Sequence, residues 1–408
     1  MPFATVGPHT RQVASAAMGN DCAVVWDDSV LDYDLGGQHP LHPVRLDLTM
    51  RLARELGVLD GVEPLRPRPA TDEELQRVHR PDYLAAVRSA PTSGWDVGHG
   101  LGTDDNPIFD RMHEAAALIA GGSLTAAEQV VSGKVDRAVS ISGGLHHAMA
   151  ERAAGFCVYN DCSVAIAGML EMGVERVAYI DVDVHHGDGV QAAFYDDPRV
   201  LTVSMHQHPV TLWPGTGFPS ETGGAGAEGT AVNIPLPPGT DDAGWQRAFH
   251  AVVPSVLEAF RPQVLVTQCG ADAHREDPLA DLSMSVDGQR ATYRSLRDYA
   301  ERYAGGKWVA LGGGGYSLYR VVPRAWTHLL ATVLDRDLDP ATTLPQDWLA
   351  HALRVAGNVP LPTTLTDNVD PSFAPWSGIT DTTVDTAIRD TRHEVFPLHG
   401  LSPADVRD

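Results

Sequence analysis

Short, almost continuously apolar segments alternate along the chain with longer segments in which apolar residues recur every three or four positions. The first pattern is typical of strands in a sheet covered on both faces, and the second of amphipathic helices. Buried strands are predicted at 22–26, 137–142, 176–184, 200–206, 263–270 and 307–313. Helices are predicted at 44–57, 108–131, 161–173, 245–260 and 289–306. This alternation indicates βαβ units, and therefore an α/β fold with a mostly parallel sheet.

Two stretches depart from this alternation. Residues 207–241 are rich in glycine and proline, which predicts a long loop. Long loops in a compact domain usually have a function. After about residue 336 the chain becomes rich in proline and threonine. We therefore expect a main domain over 1–335 and a C-terminal extension over 336–408 that packs on the core.

Polar residues cluster where four of the predicted strands end. The four segments are GGLHHA (143–148), DVDVHHGDG (181–189), QCGAD (268–272) and GGGGY (312–316). In a doubly wound sheet, ligands bind beyond the carboxyl ends of the strands. One polar strand end is ordinarily a hydrogen-bonded terminus, whereas four of them at one edge of a sheet indicate a functional site.

The second of these segments has the pattern of a metal site. Strand alternation places Asp181, Asp183 and His185 on one face, where the last two can point at a single ion. Asp272, at another strand end, would complete a set of three ligands. Two carboxylates and one imidazole with an open position form an arrangement that catalytic zinc uses. Because the set contains no thiolate, Fe²⁺ fits as well as Zn²⁺.

Two histidines and a tyrosine complete the cluster. His146 and His147 follow two glycines after a strand, so their rings can enter a cleft. They could bind metal themselves, or act as general acid and base if Asp181 and Asp188 orient them. Tyr316 follows four glycines that lack the spacing of a phosphate-binding loop. This favours a phenol that donates a hydrogen bond to an oxyanion.

Eight motifs follow one another in an order and spacing similar to those of the zinc-dependent histone deacetylases. They are HPLHPVR (39–45), GGLHHA, GFCVYND (155–161), YIDVDVHHGDGVQ (179–191), AFYDDPRVLTVS (193–204), WPGTG (213–217), QCGADAHREDPL (268–279) and LGGGGY (311–316). The chain most resembles the bacterial branch that includes acetoin-utilisation proteins, over roughly residues 20–330. The resemblance implies an arginase/deacetylase-like three-layer fold, with a central, mostly parallel sheet of about eight strands flanked by helices.

The resemblance also implies a role for each residue of the site. It makes Asp183, His185 and Asp272 the ligands of Zn²⁺, with Fe²⁺ as the alternative. It implies that the catalytic residues are His146, His147, Asp181, Asp188 and Tyr316. In this set Asp181 pairs with His146, and Asp188 pairs with His147. It implies a substrate tunnel lined by Gly155, Phe156, Trp213 and Gly314, with Asp104 or Asp105 at its rim. Trp213 stands where the family more often has phenylalanine.

Further inferences from the resemblance concern sites beside the tunnel. Arg45 and Cys157 would line an acetate-exit region. A structural K⁺ or Na⁺ would be held by Asp181, Asp183, His185, Ser204 and Met205, and a second one by Phe194, Asp197 and Val200.

Composition and charge bear on the kinds of binding partner and on the compartment in which the protein resides. The formal charge of −23 argues against a nucleic-acid surface. It would favour cationic ligands such as lysine side chains or polyamines, but acidity that only maintains solubility explains it at least as well, so charge alone does not select a substrate. The apolar runs are too short to span a membrane, and the N-terminus lacks the pattern of a secretion leader. The four cysteines have no CxxC spacing, which suits a reducing compartment. We therefore expect a cytoplasmic protein.

The activity implied by the resemblance is hydrolytic removal of acetyl groups from acetyl-lysine of proteins, with an acetylated acyl-CoA synthetase as one candidate substrate. The alternative within the same chemistry is an acetylpolyamine or another small acyl-amine substrate. A non-catalytic acyl-lysine reader is disfavoured because every matching catalytic position holds a competent residue. An arginase-type ureohydrolase would need ligands for two divalent metals, and the sequence supplies one clear set.

Overall fold

A central parallel sheet organises the computed structural model, which describes residues 22–407. The absence of a leader was predicted from residues that lie outside this range. The strands are β1 (Cys22–Val24), β2 (Arg137–Ser140), β3 (Val177–Asp181), β4 (Val200–Gln207), β5 (Ala231–Leu236), β6 (Val264–Gln268) and β7 (Trp308–Leu311). Their order is β1-β2-β7-β6-β3-β4-β5, and all neighbouring pairs are parallel. The predicted α/β class is confirmed, with seven strands in the described range against about eight expected.

Helices lie between the strands and after the last of them. They are α1 (Val44–Glu55), α2 (Asp72–Leu75), α3 (Pro81–Ser93), α4 (Met112–Val131), α5 (Asp161–Glu171), α6 (Asp188–Phe194), α7 (Asp242–Phe260), α8 (Val286–Ala304), α9 (Val322–Val333), α10 (Gln346–Ala356) and α11 (Thr383–Val395). Across residues 22–407, no helix combines the length and the apolar character that a membrane crossing requires.

Both faces of the sheet are buried. Along β3, Ala178 and Ile180 join one apolar cluster, whereas Val177 and Tyr179 join another. Successive side chains of a strand point to opposite faces, so the two clusters are the two helical layers packed on the sheet. This explains why the strands are continuous apolar runs in the sequence.

One predicted loop contains a strand. Residues 231–236, inside the stretch predicted as the loop 207–241, form β5 at the edge of the sheet, so that prediction was wrong for these residues. Pro235 lies in β5, and an edge strand tolerates the missing N–H because one side of it has no neighbour. The surrounding glycines and prolines concealed the short strand.

The segment after α9 contacts the main domain at several points. The indole N–H of Trp348 in α10 donates to the carbonyl of Leu48 in α1 at 2.9 Å. The hydroxyl of Thr391 in α11 donates to the carbonyl of Asn233 in β5 at 2.7 Å. Between these helices, Asp367 accepts hydrogen bonds from Arg324 and His274, both at 2.8 Å. The boundary at residue 336 stays a prediction.

Candidate active site

The four polar segments meet at one edge of the sheet. They follow β2, β7, β6 and β3, which are consecutive in the strand order and parallel, so their carboxyl ends lie side by side. Backbone hydrogen bonds join the segments, as from the N–H of Ala271 to the carbonyl of Gly314 at 2.8 Å. The expectation that these strand ends converge is therefore confirmed.

Three buried side chains at this edge form a group that can hold a metal ion. Asp183, His185 and Asp272 each offer one ligand atom, and these atoms all lie within 4.8 Å of one another. Nδ1 of His185 is 3.2 Å from Oδ1 of Asp183 and 3.3 Å from Oδ2 of Asp272. Tetrahedral zinc with bonds of about 2.1 Å separates its ligand atoms by about 3.4 Å. The donor set therefore fits such an ion.

Backbone and amide groups orient the two carboxylates. Oδ2 of Asp183 accepts from the side-chain amide of Gln268 and from the N–H of Gly314, both at 2.7 Å. A Cβ atom added to Gly314 would lie 2.0 Å from Oδ2 of Asp272, so only glycine fits there. Gly314 was predicted to line the tunnel. The structure places it against the ligand carboxylates, and it is not among the residues lining the cavity described below.

The two histidines of the cluster are each paired with a carboxylate. Nδ1 of His146 lies 2.6 Å from Oδ2 of Asp181, and Nδ1 of His147 lies 2.7 Å from Oδ1 of Asp188. The Nε2 atoms of the two rings are 2.9 Å apart. Since an ionised carboxylate can only accept, both histidines carry a proton on Nδ1. These pairs are the ones that the sequence resemblance implied.

Burial and neighbouring charges give the two histidines different pKa values. Burial lowers the pKa of His146, but the carboxylates of Asp181 and Asp183 outweigh this effect and raise it to about 9. Burial and the neighbouring charge of His146 lower the pKa of His147 to about 4, although Asp188 opposes them. At neutral pH this pair therefore combines a cationic His146 with a neutral His147.

A cavity of about 240 Å³ leads to these groups. Its lining residues are Asp105, His147, Gly155, Phe156, His185, Leu212, Trp213, Leu279 and Tyr316. The ring of Trp213 lies 4.6 Å from that of His147, and the ring of Phe156 lies 5.6 Å from that of Tyr316. Sequence analysis missed Leu212 and Leu279, although Leu279 stands in the motif QCGADAHREDPL and Leu212 directly precedes WPGTG.

Gly155 permits the close approach of two rings. Its φ of +51° is in the left-handed region, and an added Cβ would lie 2.5 Å from the ring of His147 and 2.7 Å from that of Trp213. The next residue, Phe156, also has a positive φ, and its carbonyl accepts from the hydroxyl of Tyr33 at 2.7 Å. This buried tyrosine fixes the wall of the cavity.

The two rim candidates are in different places. Asp105 borders the cavity, whereas Asp104 lines a separate groove beside Trp95. Both carboxylates are exposed. The carbonyl of Asp105 lies 3.3 Å from Nε2 of His39. The structure thus places Asp105 closer to a substrate entering the cavity.

Arg45 and Cys157 are buried beside the cavity and support its loops. Arg45 donates to the carbonyls of Gly313 and Gly315 at 2.8 and 3.2 Å, and its guanidinium lies over the ring of Trp326. The thiol of Cys157 lies 3.2 Å from the carbonyl of Gly155, and burial raises its pKa well above the usual range. An acetate-exit role for the two residues stays a prediction.

The residues predicted to hold monovalent cations are also neighbours. Asp181 at the end of β3 stands in register with Ser204 in β4, next to Met205. In the second set, the N–H of Asp197 donates to the carbonyl of Phe194, and the N–H of Val200 to that of Asp197. Both cation sites stay predictions.

Two supporting residues were missed in the sequence. The buried carboxylate of Asp161 accepts from the N–H groups of Gly144 and Leu145 at 2.9 and 2.7 Å. The side-chain amide of Asn160 donates to the carbonyl of His146 at 3.0 Å. Both stand at the end of the motif GFCVYND, which was the available signal. They hold the backbone that carries the histidine pair.

The tyrosine of the cluster is held by its backbone and neighbours. The N–H of Tyr316 donates to Oδ2 of Asp277 at 2.8 Å. Burial, together with the carboxylates of Asp272 and Asp183, raises the pKa of the phenol well above its usual range. Tyr316 therefore presents a neutral hydroxyl, which can donate a hydrogen bond, to the cavity.

Comparisons with known proteins agree with this geometry. The sequence profile of the histone deacetylase domain matches residues 39–333. Acetoin utilization protein AcuC of Bacillus subtilis is 40% identical over 354 residues, which are 86% of this chain and 91% of that protein. AcuC of Staphylococcus aureus (strain MSSA476) is 37% identical over 331 residues, or 80% of this chain and 85% of that protein.

A solved structure shows the same fold. The crystal structure of a histone deacetylase (HDAC) homolog from Aquifex aeolicus matches with a TM-score of 0.79 and 30% identity, over 90% of this chain and 99% of that one. A structure of an HDAC homolog complexed with SAHA matches with the same values. The resemblance found in the sequence is confirmed. The chain belongs to the histone deacetylase family, in its bacterial AcuC-like branch.

Proposed function

We propose that this protein hydrolyses the acetyl amide of acetyl-lysine in proteins, with Zn²⁺ held by Asp183, His185 and Asp272. The observation that supports this most is the buried Asp–His–Asp group in contact with a narrow cavity that also exposes a histidine and a tyrosine. When bound, the metal would supply Lewis acidity, which polarises the substrate carbonyl and lowers the pKa of water. Fe²⁺ suits the same ligands.

His147 is the proton acceptor in this proposal. It lines the cavity, whereas His146 lies behind it. Because its Nδ1 contacts Asp188, its acceptor atom is Nε2, which lies 2.9 Å from Nε2 of His146 and has to leave that contact to reach the attacking water. A neutral imidazole can take a proton from the attacking water at Nε2, and the histidine pair then returns a proton to the leaving amine. His146, hydrogen-bonded to Asp181 through Nδ1, is the second member of that pair.

Tyr316 stabilises the oxyanion in this proposal. A preorganised donor is most effective where the charge develops and where water is excluded. Phe156 and Trp213 provide that exclusion, since both flank the reacting groups with aromatic rings. The neutral hydroxyl of Tyr316 would then donate to the former carbonyl oxygen of the amide.

The small volume and the apolar lining of the cavity suit a linear substrate. At about 240 Å³ it is smaller than the roughly 300–1,000 Å³ of sites for drug-sized ligands. Leu212, Leu279, Phe156 and Trp213 suit the methylene chain of acetyl-lysine, and Asp105 at the mouth can accept from a peptide N–H. Acetylated acyl-CoA synthetases are one candidate class of protein substrate. Acetylputrescine also has a linear chain, and the acidic protein suits its cationic end, so acetylpolyamines are the second candidate.

The test is hydrolysis by metal-stripped protein to which Zn²⁺ or Fe²⁺ is returned. We expect acetate release from an acetyl-lysine peptide to return with metal and to stop with a hydroxamate chelator. The kcat/KM for this peptide should exceed the kcat/KM for acetylputrescine. A preference for acetylputrescine would favour the second candidate. Stoichiometric metal binding with no turnover of either substrate would contradict the proposal and favour an acyl-lysine reader.

The rim residue makes a separate prediction. Asp105→Asn should raise the KM for an acetyl-lysine peptide about two- to tenfold, because a hydrogen bond to a neutral oxygen is weaker by about 1 kcal/mol than one to a carboxylate. The kcat should stay unchanged, since Asp105 lies away from the reacting groups. Asp104→Asn is the matched control, because that carboxylate faces a different groove. Equal KM changes in the two variants would contradict the assignment of Asp105.

A further inference from the structure

A second cavity, of about 250 Å³, lies between α8, α9 and the residues that follow α9. Its lining is strongly basic and includes Arg290, Arg294, Arg297, Arg336 and the buried imidazole of His328. It shares no lining residue with the active-site cavity. Four guanidinium groups at one place are unexpected in a chain whose formal charge is −23.

The positive charge of this cavity is only partly compensated within it. The carboxylates that line it are Asp335 and Asp337, so four positive charges meet two negative ones. Asp337 is shared between Arg290 at 3.4 Å and Arg294 at 3.2 Å, and it is 77% exposed. Burial and the neighbouring Arg294 lower the pKa of Arg290, as expected for a cation that lacks a full counter-charge.

The spacing of the arginines brings their charges together. Arg290, Arg294 and Arg297 stand at positions i, i+4 and i+7 of α8 and so share one face of the helix. Like charges at these spacings destabilise a helix by a few tenths of a kcal/mol per pair. The carboxylates of Asp337 and Asp335 offset part of this cost, and an anion in the cavity would offset more of it.

His328 in α9 contributes a buried imidazole to the wall of the cavity. Its side chain is 2% exposed, and among residues 22–407 its Nε2 has no hydrogen-bond partner. Burial and the charges of Arg290 and Arg324 lower its pKa to about 3, so the ring is neutral. A buried polar atom without a partner costs about 1–3 kcal/mol and calls for an explanation. Nε2 has almost no solvent-accessible surface, so the imidazole forms part of the cavity wall and the arginines supply the donors.

We propose that this cavity binds a small oxygen-rich polyanion, of the size of pyrophosphate or citrate, through Arg290, Arg294 and Arg297. Guanidinium groups bind phosphate and carboxylate oxygens in the same two-bond geometry, so both chemical classes fit. The volume is below that of typical drug-sized sites, which favours a compact ligand. The site is separate from the acetyl-lysine cavity, and its occupancy does not depend on the proposed function.

Isothermal titration of the metal-loaded full chain with pyrophosphate, and separately with citrate, tests the proposal at fixed ionic strength. We expect saturable binding of at least one anion, weakened at least tenfold in Arg294→Gln/Arg297→Gln. Asp337→Asn should instead strengthen binding, because it removes a competing carboxylate from Arg290 and Arg294. Arg302→Gln is the matched control, since this residue of the same helix is 67% exposed and lies outside the cavity.

The anions also chelate the active-site metal, but that heat is common to all variants and does not change between them. Binding of pyrophosphate alone would support a phosphate ligand, and binding of citrate alone a carboxylate ligand. The proposal is overturned if the wild-type protein binds neither anion at millimolar concentration. It is equally overturned if Arg302→Gln weakens binding as much as the cavity variant. Because Asp337 is exposed, its substitution should leave folding intact, so this variant still tests the proposal if the arginine variant does not fold.

Discussion

Tyr316→Phe is expected to lower the kcat for an acetyl-lysine peptide by about two to three orders of magnitude, the usual loss for one oxyanion donor. The substitution removes only the hydroxyl. The ring contacts with Phe156 and His185, and the backbone hydrogen bond to Asp277, do not involve this group. Metal content and melting temperature should therefore stay as in the wild-type protein, and KM should change little.

Tyr319→Phe is the matched control for this experiment. Tyr319 lies three residues further along the same segment, packs beside α10 residues such as Trp348, and does not line the active-site cavity. Steady-state kinetics of both variants, with metal content measured on the same samples, separate loss of chemistry from loss of metal. A Tyr316→Phe enzyme within about threefold of the wild-type kcat would show that the phenol does not stabilise the transition state.

Asp367→Ala is expected to lower the free energy of unfolding by about 3–5 kcal/mol, the typical effect of removing one partner of a buried ion pair. Asp367 accepts from Arg324, which is 1% exposed, and from the fully buried His274. Without this carboxylate Arg324 keeps its hydrogen bond to the carbonyl of Arg320 but loses its counter-charge, and Nε2 of His274 loses the partner that it has in the structure. Urea unfolding of the metal-loaded protein, compared with the wild-type protein, measures the effect.

The same variant should also weaken metal binding. His274 lies two residues after Asp272, so its contact with Asp367 restrains the loop that carries this ligand. Asp370→Ala is the control, because this exposed carboxylate accepts only local hydrogen bonds from Ser372 and surface changes usually stay within about 0.5 kcal/mol. A loss below about 1 kcal/mol in Asp367→Ala would contradict the importance of the buried pair.

Local patterns were sufficient to predict six of the seven strands described and the group of candidate metal ligands. A strand buried on both faces needs a continuous apolar run, and parallel strands bring their carboxyl ends to one edge, so Asp183, His185 and Asp272 could be placed together. The sequence analysis missed α9 although Arg324, Thr327, His328 and Thr332 recur at helical spacing. All twelve residues of this helix are buried, so its polar face packs against protein and not against solvent.

Contacts between distant segments could not be read from the chain. Asp104 and Asp105 are neighbours of the same type, and only the folded loop determines which one borders the cavity. The basic cavity forms only where α8 meets His328 and the residues after α9. In the sequence, the arginines of α8 resemble an ordinary solvated helix face. Whether these arginines line a cavity depends on the segments that pack against that face of α8.

The buried pair of His274 and Asp367 has a consequence for synthesis of the protein on the ribosome. The two residues are 93 positions apart in the chain. At about 5–20 residues per second, translation needs roughly 5–20 s to pass from one to the other. During that interval the nascent chain has all three metal ligands but lacks the carboxylate that restrains the loop of Asp272. If the site holds the proposed metal, its stable loading is therefore expected to follow emergence of the C-terminal segment from the ribosome.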